Sequence, residues 1–259
     1  MKNHPFHLVD KSPWPIMGSI GSMTITSGTV MWFNKNNPML MMLGTIIILL
    51  TMTQWWRDTI REATFQGMHT SKVIKSMKMG MILFITSEVM LFMSMFWAFF
   101  HSSLSPNIEI GLQWPPMNIK SLNPMNIPLL NTMVLLSSGM SITWAHNALI
   151  NKNYSQTIQS LTITIMLGLY FSLLQAMEYY EATFSIADSI YGSTFFLTTG
   201  LHGIHVIIGT LFILVSTMRI MKLQLSNKHH LGFEASAWYW HFVDVVWLFL
   251  YLSIYWWGN

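Results

Sequence analysis

A single carboxylate interrupts a long uncharged stretch of the sequence. Between Lys78 and Glu109 the only formal charge is Glu88, which lies ten residues past Lys78. At a helical rise of about 1.5 Å per residue this is about 15 Å along a helix, near the middle of a bilayer. The loss of water at that depth favours the neutral carboxyl unless a partner compensates. We expect Glu88 to have no ion-pair partner and to act through hydrogen bonding and proton exchange. The alternative is that Glu88 only forms a hydrogen bond to a neighbouring helix.

Histidines and acids in the last two apolar stretches are further candidates. His202 and His205 are spaced i,i+3 on one helix face, a spacing that some metal or haem sites use. The stretch has no Glu-x-x-His partner, so hydrogen-bonded helix packing is favoured, and a redox subunit that uses these histidines or His241 as ligands is the alternative. Glu234, His241 and Asp244 fall at i, i+7 and i+10. They predict a polar seam to neighbouring helices, with a proton relay as the alternative.

Tryptophan and arginine occur together where a second apolar stretch ends. A guanidinium matches phosphate oxygens in geometry and charge, and Trp rings prefer the depth of lipid headgroups. This combination predicts a phospholipid site, and an anchoring belt with ordinary salt bridges is the alternative. The predicted site consists of Trp56, Arg61, Glu62, His69, Arg219 and His229.

The composition places these residues in a membrane protein. The 259 residues are 52% hydrophobic and 9% charged, whereas a soluble domain is about 25% charged. The chain has no cysteine, which removes disulfides, iron–sulfur ligation and thiolate metal sites. The excess of basic residues lies between apolar stretches, so anionic lipid headgroups, and not nucleic acid, are the expected partner.

Charges and Pro, Gly and Asn clusters divide the chain into seven candidate membrane spans. The stretch Ser105–Pro128 contains five prolines and is predicted to be an ordered loop outside the membrane. The predicted spans are Trp14–Phe33, Pro38–Trp56 with an extension to about Thr64, Lys72–Leu104, Pro128–Ile150, Tyr154–Glu178, Ser189–Thr217 and Leu231–Trp257.

Seven spans put the two termini on opposite sides of the membrane. Only Lys35 and Lys120 fall on one side, and by the positive-inside rule the other, basic side faces the matrix or cytoplasm. The N-terminus is therefore predicted on that side and the C-terminus on the opposite side. The basic side receives Lys2, Lys11, Arg57, Arg61, Lys72, Lys75, Lys78, Lys152, Arg219, Lys222 and Lys228.

Short motifs rich in aromatic residues are spread along the whole chain. They are Ser12-Pro13-Trp14-Pro15, Gln54-Trp55-Trp56-Arg57-Asp58, Phe96-Trp97-Ala98-Phe99-Phe100-His101, Trp114-Pro115-Pro116, Thr143-Trp144-Ala145-His146, Tyr191-Gly192-Ser193-Thr194-Phe195-Phe196 and Trp238-Tyr239-Trp240-His241-Phe242-Val243-Asp244. Together these motifs resemble the mitochondrial cytochrome c oxidase subunit III family. Two positions depart from the family pattern, Met68 and Asn147, where a further histidine is common. Met68 puts in question any lipid contact that needs that imidazole.

The resemblance implies an all-α integral membrane fold with seven transmembrane helices. It implies that the first two helices, within residues 1–70, splay away from a five-helix bundle in residues 71–259. Phospholipids are expected in the V-shaped cleft that separates the two groups.

The resemblance also implies a role inside the proton-pumping cytochrome c oxidase of the mitochondrial inner membrane. The chain is expected to be a non-redox, structural and lipid-binding subunit with no catalytic residue and no metal. Haem and copper are expected in partner subunits I and II, which carry electrons from cytochrome c to oxygen. Subunit I is the expected main contact, with subunit II and accessory subunits as further partners. The N-terminus would face the matrix and the C-terminus the intermembrane space. A stand-alone transporter or proton channel that uses Glu88 is the remaining alternative.

Overall fold

A computed structural model describes residues 4–259 of the chain, and Lys2 of the basic set lies outside the described residues. Within that range all regular structure is helical. Seven α-helices occur, and the last one continues as a π-helix over Tyr251–Trp257. They are α1 (Trp14–Lys35), α2 (Met39–Thr64), α3 (Ser71–Leu104), α4 (Ile127–Ile150), α5 (Tyr154–Glu181), α6 (Ser189–Met221) and α7 (Leu231–Leu250).

Local sequence signals explain most of the helix ends. Pro15 and Pro128 lie in the first turns of α1 and α4, where the missing N–H is not needed. Asn36 ends α1 in the left-handed region, with φ of 51°. The side chain of Asn153 accepts the amide N–H of Gln156 and caps α5.

Two helices run one turn further than the sequence predicted. α5 ends at Glu181, where the predicted span ended at Glu178, and α6 ends at Met221, where it ended at Thr217. No proline or glycine intervenes in either extension. Arg219 also lies in the last turn of α6, where a cation is favoured by the helix dipole.

Six of these helices, α2 to α7, are long and apolar enough to cross a membrane. α1 falls outside that set because hydroxyl side chains make it less apolar. Those hydroxyls donate to carbonyls of their own helix, so their polar atoms are satisfied without water. The seventh span therefore stays a prediction. The residues that form these bonds include Ser19, Ser22, Thr24, Thr26, Ser27 and Thr29.

The chain divides into two compact units, Met1–Met77 and Lys78–Asn259, and the boundary falls inside α3. In the first unit α1 packs against α2. The indole N–H of Trp14, at the start of α1, donates to the Asp58 carboxylate near the end of α2 over 2.7 Å. The two helices are therefore antiparallel, and the short connection at residues 36–38 joins their other ends.

The second unit has an aromatic core centred on α7. This helix packs against α4 and α6, and its Trp240 and Trp247 side chains are fully buried. The indole N–H groups donate to Ser138 Oγ at 2.9 Å and to Thr132 Oγ1 at 3.0 Å, both on α4. The burial of 61% of the apolar window of α7, against 11% for α3, makes α7 the central helix of this unit.

Glycines allow α1 and α2 to approach closely. A Cβ added to Gly28 would overlap the backbone of Met41 on α2, whereas one added to Gly18 of the same helix would meet nothing within 4 Å. Backbone atoms cannot rotate away as the end of a side chain can. Close contact at Gly28 therefore requires the absence of a side chain.

We predict that Gly28→Ala destabilises this helix pair by about 1–3 kcal/mol, because overpacking against backbone forces the helices apart. Thermal unfolding of the purified membrane protein measures the change. Gly18→Ala is the matched control and should leave the unfolding midpoint unchanged or raise it slightly, since alanine favours a helix. Equal midpoints for both variants would show that α1 and α2 do not depend on this contact.

Candidate functional site

Glu88 is paired, which corrects the expectation of an isolated acid. Its Oε2 lies 2.9 Å from Nε2 of His205, a residue of α6. The other ring nitrogen of His205, Nδ1, lies 2.7 Å from the carbonyl oxygen of Leu201 one turn earlier. The sequence could not show this pairing because 117 residues separate the two partners.

The hydrogen bonds of His205 restrict where protons can reside. A carbonyl oxygen only accepts, so Nδ1 must carry a hydrogen that it donates to Leu201. Nε2 then either accepts from a neutral Glu88 carboxyl or, in the imidazolium, donates to the carboxylate. Both arrangements contain the same number of protons and have no net charge. The pair can therefore relocate one proton without acquiring a net charge.

Aromatic rings hold the imidazole of His205 in place. The ring meets Phe92 edge-on, with centroids 5.1 Å apart, and lies nearly parallel to Tyr239, with centroids 6.2 Å apart. The side chain of Glu88 remains 20% exposed, whereas that of His205 is 9% exposed. The carboxyl therefore lies at the surface of the second unit, where lipid, water or another protein chain can reach it.

His202 serves helix packing, as the favoured interpretation of the histidine pair predicted. Its Nε2 lies 3.2 Å from the carbonyl oxygen of Val243 on α7. The ring is buried between Phe171 and Trp247, at centroid distances of 5.6 and 5.2 Å. His202 and His205 therefore bind different partners and do not converge on one point.

The polar residues of α7 contact separate neighbours. Oε2 of Glu234 lies 2.5 Å from Nζ of Lys78 on α3, which is a bond between helices as predicted for a polar seam. Asp244 is buried, and its nearest imidazole atom is Nδ1 of His241 at 3.8 Å, too far for a hydrogen bond. A Cβ on Gly139 of α4 would collide with the Asp244 carboxylate, so α4 closes over it. The residues do not form a continuous relay.

Four members of the predicted lipid site lie in the first unit. The Trp56 side chain is 60% exposed, and Arg61 is exposed as well. Glu62 binds Nε2 of His7 at 3.0 Å, and the rings of His7 and His69 meet edge-on at 6.3 Å. An exposed indole and guanidinium beside a hydrogen-bonded carboxylate suit a headgroup site at the end of α2.

The other two members of that site lie in the second unit. Nε of Arg219 is buried and has no hydrogen-bond partner within residues 4–259, and the guanidinium lies beside Gly232 at the start of α7. The backbone N–H of His229 donates to Ser226 Oγ at 3.1 Å. The assembly of all six residues into one lipid site stays a prediction.

A buried polar network on α5 was not predicted from the sequence. Glu178 is only 2% exposed and accepts the hydroxyl of Tyr255 at 2.6 Å. Gln175 donates to the same carboxyl oxygen at 3.3 Å and accepts from Asn131, also at 3.3 Å. The i,i+3 spacing of Gln175 and Glu178 was the only available hint, and it does not reveal partners on α4 and after α7.

A bundle of long apolar helices with hydrogen-bonded polar pairs at their contacts defines a polytopic α-helical membrane protein. The chain belongs to the cytochrome c oxidase subunit III family, whose model matches residues 4–259. The sequence resemblance is thereby confirmed. As a member of this family, the chain is a component of the respiratory oxidase, complex IV, in the mitochondrial inner membrane.

Relatives from several animals match over nearly the full length. Cytochrome c oxidase subunit 3 of Aedes aegypti is 63% identical over 257 residues, which cover 99% of this chain and 98% of the relative. The protein of the same name from Drosophila melanogaster is also 63% identical, with the same coverage. The one from Pisaster ochraceus is 59% identical over 256 residues, again 99% of this chain and 98% of the relative.

We predict that Glu88→Ala destabilises the second unit by about 1–3 kcal/mol, because it leaves Nε2 of His205 without a partner. Glu88→Gln should retain most of the stability, since the amide still offers a hydrogen bond. Thermal unfolding of the subunit within the detergent-solubilised complex measures both. Ser87→Ala is the control, because that exposed hydroxyl bonds only the carbonyl of Phe84 on its own helix. A Glu88→Ala variant as stable as Ser87→Ala would contradict a bonded pair.

Proposed function

We propose that this chain is the non-redox, structural and lipid-binding subunit of the oxidase. In this proposal haem and copper reside in subunits I and II, and this chain supports their electron transfer and proton pumping. The observation that carries the proposal is the outward apolar surface, since only 11% of the apolar windows of α2 and α3 is buried within the chain. Such a surface requires lipid or a partner subunit to cover it. Subunit I is proposed as the main contact, with subunit II and accessory subunits as further partners.

We propose a topology of seven transmembrane helices with the N-terminus in the matrix and the C-terminus in the intermembrane space. The unequal division of basic residues supports this orientation, because only Lys35 and Lys120 fall on the intermembrane side. The internal bonding of the α1 hydroxyls supports α1 as the seventh span.

Phospholipid is the proposed ligand at the end of α2. We propose that a two-helix group, in residues 1–70, splays from a five-helix bundle, in residues 71–259, and that lipids fill the V-shaped cleft. The proposal of a cleft is based on family membership, and the proposal of a headgroup site is based on the chemistry of the residues. The guanidinium of Arg61 would fork onto phosphate oxygens, and Trp56 would pack at headgroup depth. Glu62, His69, Arg219 and His229 complete the proposed set.

Glu88 is the proposed functional carboxyl inside the membrane. Its partly exposed carboxyl and its bond to His205 support a role in hydrogen bonding and proton exchange near a partner subunit. It does not act on oxygen in this proposal. Proton exchange requires an ionisable side chain at this position, whereas a packing role requires only its shape and hydrogen bonds.

We predict that Arg61→Ala lowers the phospholipid retained by the purified complex, since each charged hydrogen bond contributes about 1.5–3 kcal/mol. Mass spectrometry of extracted lipid after a detergent wash measures retention. Arg57→Ala is a matched control, because the Arg57 guanidinium already binds Asp58 at 3.1 Å. Arg61→Lys should retain an intermediate amount, since it keeps the charge and loses the fork.

Equal lipid content in Arg61→Ala, Arg57→Ala and the unaltered complex would show that the headgroup site is wrong. The thermal stability of the complex provides a second measurement. It should fall with the lipid content in Arg61→Ala alone.

We predict that Glu88→Gln impairs sustained turnover and proton uptake if Glu88 exchanges protons. The amide keeps the shape and part of the bonding but cannot ionise. Oxygen consumption with cytochrome c, followed over many turnovers, measures the effect. If Glu88→Gln turns over at the rate of the unaltered complex while Glu88→Ala loses activity, then Glu88 serves packing and does not exchange protons. Ser87→Ala again serves as the control on the same helix.

A further inference from the structure

Two imidazoles and a carboxylate converge at one end of the second unit. His146 lies near the end of α4, His230 immediately precedes α7, and Glu234 lies in the first turn of α7. One ligand atom from each of the three lies within 4.8 Å of the other two. The side chains come from distant parts of the chain, so the fold is needed to bring them together.

The surrounding hydrogen bonds orient two of these side chains. Nδ1 of His230 lies 3.0 Å from the carbonyl oxygen of Ser226, so it carries the hydrogen, and in the neutral ring the Nε2 lone pair is then available to a metal ion. Nε2 faces Oε1 of Glu234 at 3.4 Å, while Oε2 of the same carboxylate binds Lys78. Metal-binding histidines and carboxylates in proteins are fixed by second contacts of this kind.

One nitrogen of the third side chain is buried without a partner. Nε2 of His146 is inaccessible to solvent and forms no hydrogen bond among the residues that the structure describes, although the side chain as a whole is half-buried. An unsatisfied buried group of this type costs about 1–3 kcal/mol. The ion pair between Lys78 and Glu234 satisfies the charges of those two residues. It provides no partner for Nε2 of His146.

We propose that His146, His230 and Glu234 form a binding site for a divalent transition metal, best suited to Zn²⁺. Two imidazoles with one carboxylate are a common zinc ligand set, and a fourth position then takes water. Bonds of about 2.0–2.2 Å place tetrahedral ligands about 3.3–3.6 Å apart. The separation of 3.4 Å between His230 and Glu234 already meets this requirement. The ligand atom of His146 lies within 4.8 Å of the other two, so it needs a shift of up to about 1.5 Å.

An adjacent cavity provides the room for a fourth ligand. It has a volume of about 330 Å³. Its lining includes His146 and Glu234 along with the apolar surfaces of Ile142, Ala237 and Trp238. A water on the ion would fit there, since one water requires about 30 Å³.

The bound ion would join α4 to the start of α7. Lys78 opposes a divalent cation electrostatically and competes for the carboxylate, so binding should be reversible and sensitive to chelators. This proposal departs from the expectation, implied by the family resemblance, that the chain holds no metal. It is independent of the lipid and proton roles proposed above, because none of the three ligands belongs to those sites.

Zinc titration of the assembled oxidase tests the site. The complex is washed with a chelator, equilibrated with Zn²⁺ and analysed by mass spectrometry for metal per complex. His146→Gln and Glu234→Gln should each lose one equivalent at a Zn²⁺ concentration that saturates the unaltered complex. His101→Gln, an exposed histidine at the far end of α3, is the matched control and should lose none. Unchanged zinc content in both ligand variants would overturn the proposal.

A second measurement covers the case in which the variants fail to assemble. Crystals of the unaltered complex are soaked in Cd²⁺, which scatters anomalously and accepts the same ligands. An anomalous peak among His146, His230 and Glu234 supports the site. The absence of that peak, with Cd²⁺ visible elsewhere in the crystal, overturns it.

Discussion

Water is absent from the hydrocarbon core of a membrane, and every polar group placed there must find a partner within the protein. This constraint accounts for the chemistry of the bundle. Hydroxyls on single helices turn back to their own carbonyls, as Thr132 does to Pro128. Groups that cannot bond locally reach across to another helix, as Trp247 does to Thr132.

The same constraint shapes the contacts between helices. Hydrophobic burial alone does not bring helices together in lipid, because lipid tails are as apolar as leucine. Directional bonds from Glu88 to His205 and from Glu178 to Tyr255 therefore specify which helix faces meet. Close packing at Gly139 and at the buried tryptophans of α7 adds the dispersion contacts.

Helix positions were predictable from the sequence because the proline and asparagine residues that begin or end a helix act locally. Pro15, Asn36 and Pro128 define ends within a few residues, and long uncharged stretches define the apolar helices. The faces of the helices were not predictable, since most are apolar all round. The partner of Glu88 on α6 and the buried carboxyl of Glu178 therefore emerge only from the fold.

The candidate sites divide in the same way. Residues adjacent in sequence, such as Arg61 and Glu62, indicated a headgroup site from their types alone. His146, His230 and Glu234 did not, because the pairing of α4 with α7 is a long-range property. The family resemblance predicted the function of the chain but not these contacts. A resemblance implies a role for the whole chain, and it does not identify the partner of each side chain.

The pair of Glu88 and His205 has a consequence for how the bundle responds to an electric field. Its two proton arrangements differ in dipole moment and not in total charge. A nearby charge would therefore favour one arrangement over the other across the 2.9 Å contact, and the pair itself would stay neutral. The hydrogen bond between α3 and α6 is thus polarisable, and the position of its proton depends on the local field.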